Sequence, residues 1–368
     1  MPLDVWIAGV GEVPCKERYV GMDFREMLYS AAKKAYQDAE MTPAEIDGIV
    51  SSGMDFYEGV SITDSYTPDQ VGGRLKFNTL VSNDGLNAFI HGYMLVRTGH
   101  FRSVMVTAYA KPSNILNYPE IVLNTFDPHI VRPLCPHHYV IAALDANAYL
   151  RKNNADVMDL SLVAVKNKKN ALSNPSAAYA ENTTVESVEK SGYVSEPLKN
   201  GHVAKLADYA AAVILTSDRR HGKVAVKGVG QALGRHSSDL ASRDWGTASW
   251  ARFAVSKAFG QAGIKKVDFA EVAEPFAHTE LMVLGALELE QPLLKMLRNG
   301  GFDVHGQMPV NPSGGCIGMG YPLNAAGLQR LAQSVKLLIS GEWTTCLTAS
   351  PDGEVVDAGS AVVLSREV

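Results

Sequence analysis

Two stretches of this chain repeat each other in the same order, and that repetition limits the fold more than any other feature. Phe24–Ala39 places Met27, Leu28, Ala31, Ala32 and Ala35 on one helical face. Thr42-Pro-Ala-Glu45 then reads as a capping box with proline at the first helical position, and a strand follows at Ile49–Val50. In the second half Trp250–Ala262 is helical by pattern and leads to a strand around Val272. Ala35-Tyr36-x-x-Ala39-x-Met41 matches Ala258-Phe259-x-x-Ala262-x-Ile264, and Ile46-Asp47 matches Val267-Asp268. A second echo is independent of the first. A helix ending Leu95-Val-Arg-Thr-Gly99-His-Phe101 runs into a strand at Ser103–Ala108, and one ending Leu338-Ile-Ser-Gly341-Glu-Trp343 runs into a strand at Thr345–Ala349. One αβ unit, duplicated, accounts for both. The halves are residues 1–222 and 223–368, the first opening with a strand at Val5–Ala8 and closing with one at Ala210–Thr216.

Inside the first half lies an insertion, about 111–204, rich in proline and carrying helical patterns at Ile141–Lys152 and Met158–Asn170. A connector of that length is expected to cover a site. The net charge of −5 gives no basic surface for nucleic acid. No apolar run reaches membrane-spanning length, and Met1–Ala8 lacks the features of a signal peptide, so a cytoplasmic protein is expected. Cys15, Cys135, Cys316 and Cys346 are widely spaced and read as reduced thiols; no cluster has metal-ligand spacing, and no cofactor is expected.

Chemistry concentrates in Asn311-Pro-Ser-Gly-Gly-Cys-Ile-Gly-Met-Gly-Tyr-Pro-Leu-Asn-Ala-Ala-Gly327, ahead of a helical pattern at Leu323–Leu338. Glycines before a helix N-terminus let backbone approach a ligand, which makes Gly314, Gly315, Gly320 and Asn311 candidate substrate-binding residues. Tyr321, held between Gly320 and Pro322, is a poor choice for core packing and is expected to aim its phenol at a site.

This segment resembles the thiolase superfamily, which carries Asn-x-x-Gly-Gly-x-x-x-x-Gly-His-Pro here. Val163-Ala-Val-Lys-Asn-Lys-Lys-Asn-Ala-Leu-Ser-Asn174-Pro175 is similar to the sterol-carrier-protein-like and archaeal branch. Asp208-Tyr209-Ala210-Ala211-Ala212 resembles its Asp-Gly-Ala-Ala-Ala, and Glu274-Pro275-Phe276-Ala277 resembles Asn-Glu-x-Phe-Ala. The resemblance implies an α/β thiolase fold, with duplicated half-domains forming a layered α-β-α-β-α core and a long loop insertion. It also locates departures. The position of the family's nucleophilic cysteine is Ser82, whose bland reading is a helix N-cap hydroxyl. The family's Gly-His-Pro histidine is Tyr321, and its Asn is Ala273, for which Glu274 or His278 is the nearest polar substitute. Cys346 falls near the family's second cysteine, although the repeat sets it level with Val104, as a small hydrophobe in a buried strand. Tyr209 in place of glycine is expected to reshape the pocket.

A chain without the nucleophile suits chemistry that needs none. Retro-aldol cleavage of a β-hydroxyacyl-CoA breaks Cα–Cβ and leaves a thioester enolate, which an oxyanion pocket stabilises. The resemblance extends to the lipid-transfer-protein-like aldolases of bacterial steroid side-chain degradation, which lack the cysteine and carry tyrosine in place of the histidine. It implies an acyl-CoA lyase acting on a bulky substrate with Tyr321, His278, Ser82 and Cys346 as candidate catalytic residues, a homodimer, and a DUF35-type OB-fold and zinc-ribbon partner. Two other readings stay open. One is a CoA-consuming thiolase or acyltransferase acylating Ser82 or recruiting Cys346; the other is a non-catalytic subunit of a heteromeric thiolase.

Overall fold

The computed structural model describes residues 3–58, 63–234, 243–355 and 357–366. Their main sheet has strands β1 (Trp6–Lys16), β2 (Gly48–Ser52), β3 (Phe77–Val81), β4 (Ser103–Ala110), β5 (Asp208–Thr216), β6 (Val224–Leu233), β7 (Phe269–Val272), β8 (Thr345–Pro351) and β9 (Ala358–Ser365). Their order is β3-β2-β4-β5-β1-β6-β9-β8-β7. The run β2-β4-β5-β1 is answered by β7-β8-β9-β6, and the two runs meet where Trp6 pairs with Ala225 and Ile7 with Val224. β3 extends the first half alone.

Helices α1 (Phe24–Ala39) and α6 (Ser249–Ala262) occupy equivalent places. The former starts at a capping box of Asp23 and Glu26 and buries Met27, Leu28, Ala31, Ala32 and Ala35. Each helix lies almost on the backbone of its strand. A Cβ on Gly11 would stand 2.1 Å from the Ala31 carbonyl oxygen, and one on Gly230 would stand 1.9 Å from that of Ala254. Gly9-Val-Gly11 and Gly228-Val-Gly230 are therefore a third echo of the duplication, with a packing cause.

Three apolar clusters define layers. One joins α1 to one face of the first half, through Ala8, Ile49, Met105 and Ile214. Another joins α6 to one face of the second half, through Val272, Leu347 and Val363. The largest lies between the halves and holds helices α2 (Gly85–Arg97) and α9 (Ala326–Ser340), which touch strands of both. The result is the α-β-α-β-α stack expected for a thiolase fold. Between β4 and β5 run α3 (Tyr118–Leu123), α4 (His138–Asn153) and α5 (Val157–Asn170). Of these, α4 and α5 pack on α7 (Ala277–Leu284), and α5 also packs on the short α8 (Gly315–Met319).

Local differences from expectation have local causes. β1 runs to Lys16 because it pairs along its length with β5, a partner invisible in its own sequence. The α9 helix starts at Ala326 after a 3-10 turn at Leu323–Ala325, since Leu323 has a positive φ of 47° that no α-helix contains. The cap of α2 is Asp84, not Ser82: the Asp84 carboxylate accepts the Leu86 N–H at 2.9 Å.

Candidate active site

The glycine-rich turn is filled by the protein's own atoms. Asn311 has a φ of 51°; its side-chain oxygen accepts the Val272 N–H at 2.7 Å, and its amide donates to Glu280 at 2.7 Å and Glu274 at 3.2 Å. The Glu274 carboxylate in turn accepts the Ile317 N–H at 3.0 Å, inside the first turn of α8. A Cβ on Gly315 would meet Glu274 Oε1 at 2.1 Å, one on Gly314 would meet Ala171 at 2.5 Å, and one on Gly320 would meet Ala207 at 2.5 Å. The sequence reading assigned Gly314, Gly315, Gly320 and Asn311 to substrate. The structure places the three glycines against Ala171, Glu274 and Ala207, so their smallness serves close packing, while Asn311 holds the turn by hydrogen bonds. Glu274 and Glu280 share Asn167 and Asn311 in this buried network, and burial followed by the Glu280 charge pushes the Glu274 carboxyl upward.

What this rigid turn presents is Tyr321. Its N–H donates to the Lys205 carbonyl at 2.8 Å, and its carbonyl accepts the Ala207 N–H at 3.1 Å, so the backbone is pinned on both sides. The ring is 5% exposed, and among the described residues its hydroxyl has no hydrogen-bond partner. Burial, and after it the nearby Glu354, Tyr57, Cys316 and Asp84, push the phenol well above its usual range. Tyr321 is therefore held as a neutral phenol, not a phenolate.

The surroundings come from five separate stretches. Glu354 follows the C-terminal end of β8, and burial raises its carboxyl to about 7, partly offset by the adjacent Tyr118 phenol. His138, the first residue of α4, holds Nε2 3.4 Å from Glu354 Oε2. Burial, followed by His137, lowers the His138 imidazole to about 3, so the contact is one between a neutral ring and a carboxyl, not an ion pair. Tyr118 meets His138 edge-on at 5.4 Å and Tyr57 at 6.0 Å. The belt continues from Tyr139 to Phe276 at 6.0 Å and from Phe276 to His278 at 5.6 Å. His278 is buried, with its imidazole lowered to about 3 by burial and then by His202 and Arg243, and its Nδ1 takes no partner among the described residues.

His278 thus lies at one end of this aromatic belt and Tyr321 near Glu354 and Tyr57 at the other, whereas the other sequence candidates scatter. Ser82 is exposed in the β3–α2 connection. Tyr209 does not open onto this belt; its hydroxyl donates to Glu12 Oε2 at 2.7 Å in a buried network with Ser176, Gln333 and Lys336. Cys346 pairs with Phe269 and Leu364 at the far end of β8, five residues from Pro351, a span of about 17 Å. Its thiol is pushed up to about 12 by burial, and those of buried Cys15 and Cys316 are also raised. Cys135 is exposed on the insertion. Sequence reasoning missed Glu354, Tyr118, Tyr57 and His138. The available signal was position: Asp352-Gly-Glu354 follows a strand end, and ligands in α/β sheets collect beyond the carboxyl ends of strands.

Between the C-terminal end of α4, α7 and the segment leading into α6 is a cavity of about 560 Å³ lined by Tyr149, Lys152, Thr247, Arg252, Phe253 and Met282 among others; neither Tyr321 nor any residue of the belt lines it. Among the described residues there is no His/Cys/Asp/Glu group arranged for a metal, and no helix long and apolar enough to cross a membrane.

Residues 232–344 match the family model for the thiolase C-terminal domain. An acetyl-CoA acetyltransferase of Methanothermobacter thermautotrophicus is 27% identical over 351 residues, 90% of each chain. The 17-hydroxy-3-oxo-4-pregnene-20-carboxyl-CoA lyase of Mycobacterium tuberculosis is 22% identical, again over 90% of each. Among solved structures, the Ltp2-ChsH2(DUF35) aldolase superposes with a TM-score of 0.82 at 21% identity, covering 100% of this chain and 99% of that one.

Proposed function

The chain belongs to the thiolase superfamily, beside its sterol-carrier-protein-like members, and from that premise we propose that it is an acyl-CoA lyase. It cleaves a bulky β-hydroxyacyl-CoA by a retro-aldol reaction into a ketone or aldehyde and a short acyl-CoA. The observation that carries this reading is the state of the cysteines: the three buried thiols are all pushed toward the unreactive protonated form, and Ser82, at the position the family resemblance gives to the nucleophile, is an exposed serine. Acyl transfer through a thiolate therefore lacks its central group. Retro-aldol cleavage needs instead a proton acceptor for the β-hydroxyl and a donor for the nascent enolate, and the neutral Tyr321 phenol takes the donor role.

Leu116, Ile130 and Leu134 on the insertion are exposed, which suits a protein partner over the cover. The structural relative's name supports a DUF35-type protein in that role. We further propose a homodimeric, cytoplasmic assembly.

The acetyltransferase relatives favour a second reading, CoA-dependent acyl transfer. One assay separates the two. The purified chain, with and without a DUF35-type protein, is given a β-hydroxyacyl-CoA and, separately, a β-ketoacyl-CoA plus free CoA. The lyase releases a carbonyl compound and a short acyl-CoA with no requirement for free CoA. Consumption of CoA by the keto substrate alone rejects the lyase.

A further inference from the structure

Resting on the lyase reading, we infer that Glu354 is the group that takes the β-hydroxyl proton and hands it, through Tyr321, to the enolate carbon. Three geometric observations converge on it. The Glu354 side chain is only 7% exposed, and among the described residues its Oε2 takes no hydrogen bond. Such an atom is costly to bury and is expected to have a function or a missing partner. The carboxyl is also held from several directions. His138 and Tyr139 from α4, Tyr118 from α3, Tyr57 and Tyr321 all lie within electrostatic reach. None of these is a cation: His138 is neutral and the four phenols keep their protons. The nearby Asp84 also interacts with Tyr321, and its own carboxyl is raised. Finally, the loop is pinned behind the carboxyl. Arg243 donates to the Val355 carbonyl at 2.8 Å, is ion-paired with Asp145 of α4, and stacks on Trp245 at 4.7 Å.

A carboxyl among neutral donors, with burial keeping its proton affinity near neutrality, is tuned to exchange protons at working pH. The step balances as follows. A Glu354 carboxylate oxygen accepts the hydroxyl proton. The O–H electron pair becomes the carbonyl π bond, and the Cα–Cβ pair moves into the thioester as an enolate. Tyr321 gives its proton to the enolate carbon and regains one from Glu354. The carboxylate is restored, and no proton is gained or lost. Tyr118 and the His138 N–H steady the carboxylate between turnovers.

The experiment compares wild type, Glu354→Gln and Glu354→Asp in the full chain. Two readouts are used: cleavage of a β-hydroxyacyl-CoA from pH 5 to 9, and exchange of the acetyl-CoA Cα hydrogens in D2O, which requires no carbon–carbon cleavage. E354Q keeps the shape of the side chain and is checked for folding by its melting temperature. Expected are a fall of about 10²-fold or more in kcat/KM and in exchange for E354Q, partial recovery in E354D, and an acid limb near pH 7 in wild type that E354Q lacks. A folded E354Q with more than half the wild-type rate and an unchanged pH profile overturns the inference and leaves the lyase intact. Exchange that depends on Glu354 without any cleavage overturns the lyase reading, and with it the β-hydroxyl step, and leaves only the relay between Glu354 and the enolate carbon standing. A wild type that does neither overturns both.

Discussion

Two tyrosines that look alike in the sequence separate by what their hydroxyls touch. Tyr209 donates to the buried Glu12 carboxylate at 2.7 Å, so it acts on stability. Tyr321 has no partner for its hydroxyl among the described residues, so removing that oxygen breaks no bond within the protein. Tyr321→Phe should then melt within a few degrees of wild type while cleavage slows about 10²–10⁴-fold. Tyr209→Phe should lose about 1.5–3 kcal/mol, the size of a hydrogen bond to a charged group, with turnover nearly intact in the folded fraction. Measuring melting temperature and rate on the same samples decides the matter; a stable Tyr321→Phe enzyme with more than half the native rate removes the phenol from the mechanism.

Helices α2 and α9 are partners under the duplication, and their N-termini converge on one side chain. Asp84 accepts the Leu86 N–H with one oxygen and the Gly327 N–H with the other, each at 2.9 Å. One carboxyl thus caps both central helices, and their positive ends are already answered within the protein. Gly327 is required by this arrangement, because its Cβ would stand 1.8 Å from Asp84 Oδ1. Asp84→Ala loses two caps, at about 0.5–2 kcal/mol each, lessened by the burial cost no longer incurred. Gly327→Ala should destabilise the native protein severely but cost much less once Asp84 is alanine. Denaturant unfolding of the four proteins tests this, and additive effects would mean that the two residues do not share a cap.

Across the whole molecule, buried titratable groups pull stability in opposite directions with pH. Asp84 and Glu354 are raised to about 7 and Asp352 to about 6, all chiefly by burial. Their folded forms bind protons that the unfolded chain releases above about 4, so their contribution grows as pH falls from 7 toward 4. His138 and His278 are lowered to about 3 and His202 to about 4, so their contribution is lost as pH falls below about 6.5. The two sets offset each other, and a flat stability plateau is expected between about pH 7 and 5, followed by a steep loss below about 4.5. Glu354→Gln tilts it. It should raise the melting temperature above wild type at pH 8, where it removes a buried charge, and the gain should vanish by pH 5. A gain independent of pH would mean that Glu354 titrates as an exposed carboxyl. How far the sequence could carry these conclusions follows from the range of the interactions involved. The duplication, α1 within its observed ends, the strands at Ser103 and Thr345 and the αβ class all rest on neighbours a few residues apart, and periodicity records such contacts. Tyr321 was legible because flanking Gly320 and Pro322 restrict the chain locally. The glycines were legible as glycines but not in purpose, since Ala171, Ala207 and Glu274, which fill the space beside them, come from distant segments. Glu354, Tyr118, Tyr57 and His138 carry no shared spacing; they meet because β8 ends where the insertion and the β2–β3 connection fold together. Burial made that carboxyl basic and those phenols neutral, and burial is a property of the packed chain, set by which segments exclude water from one another.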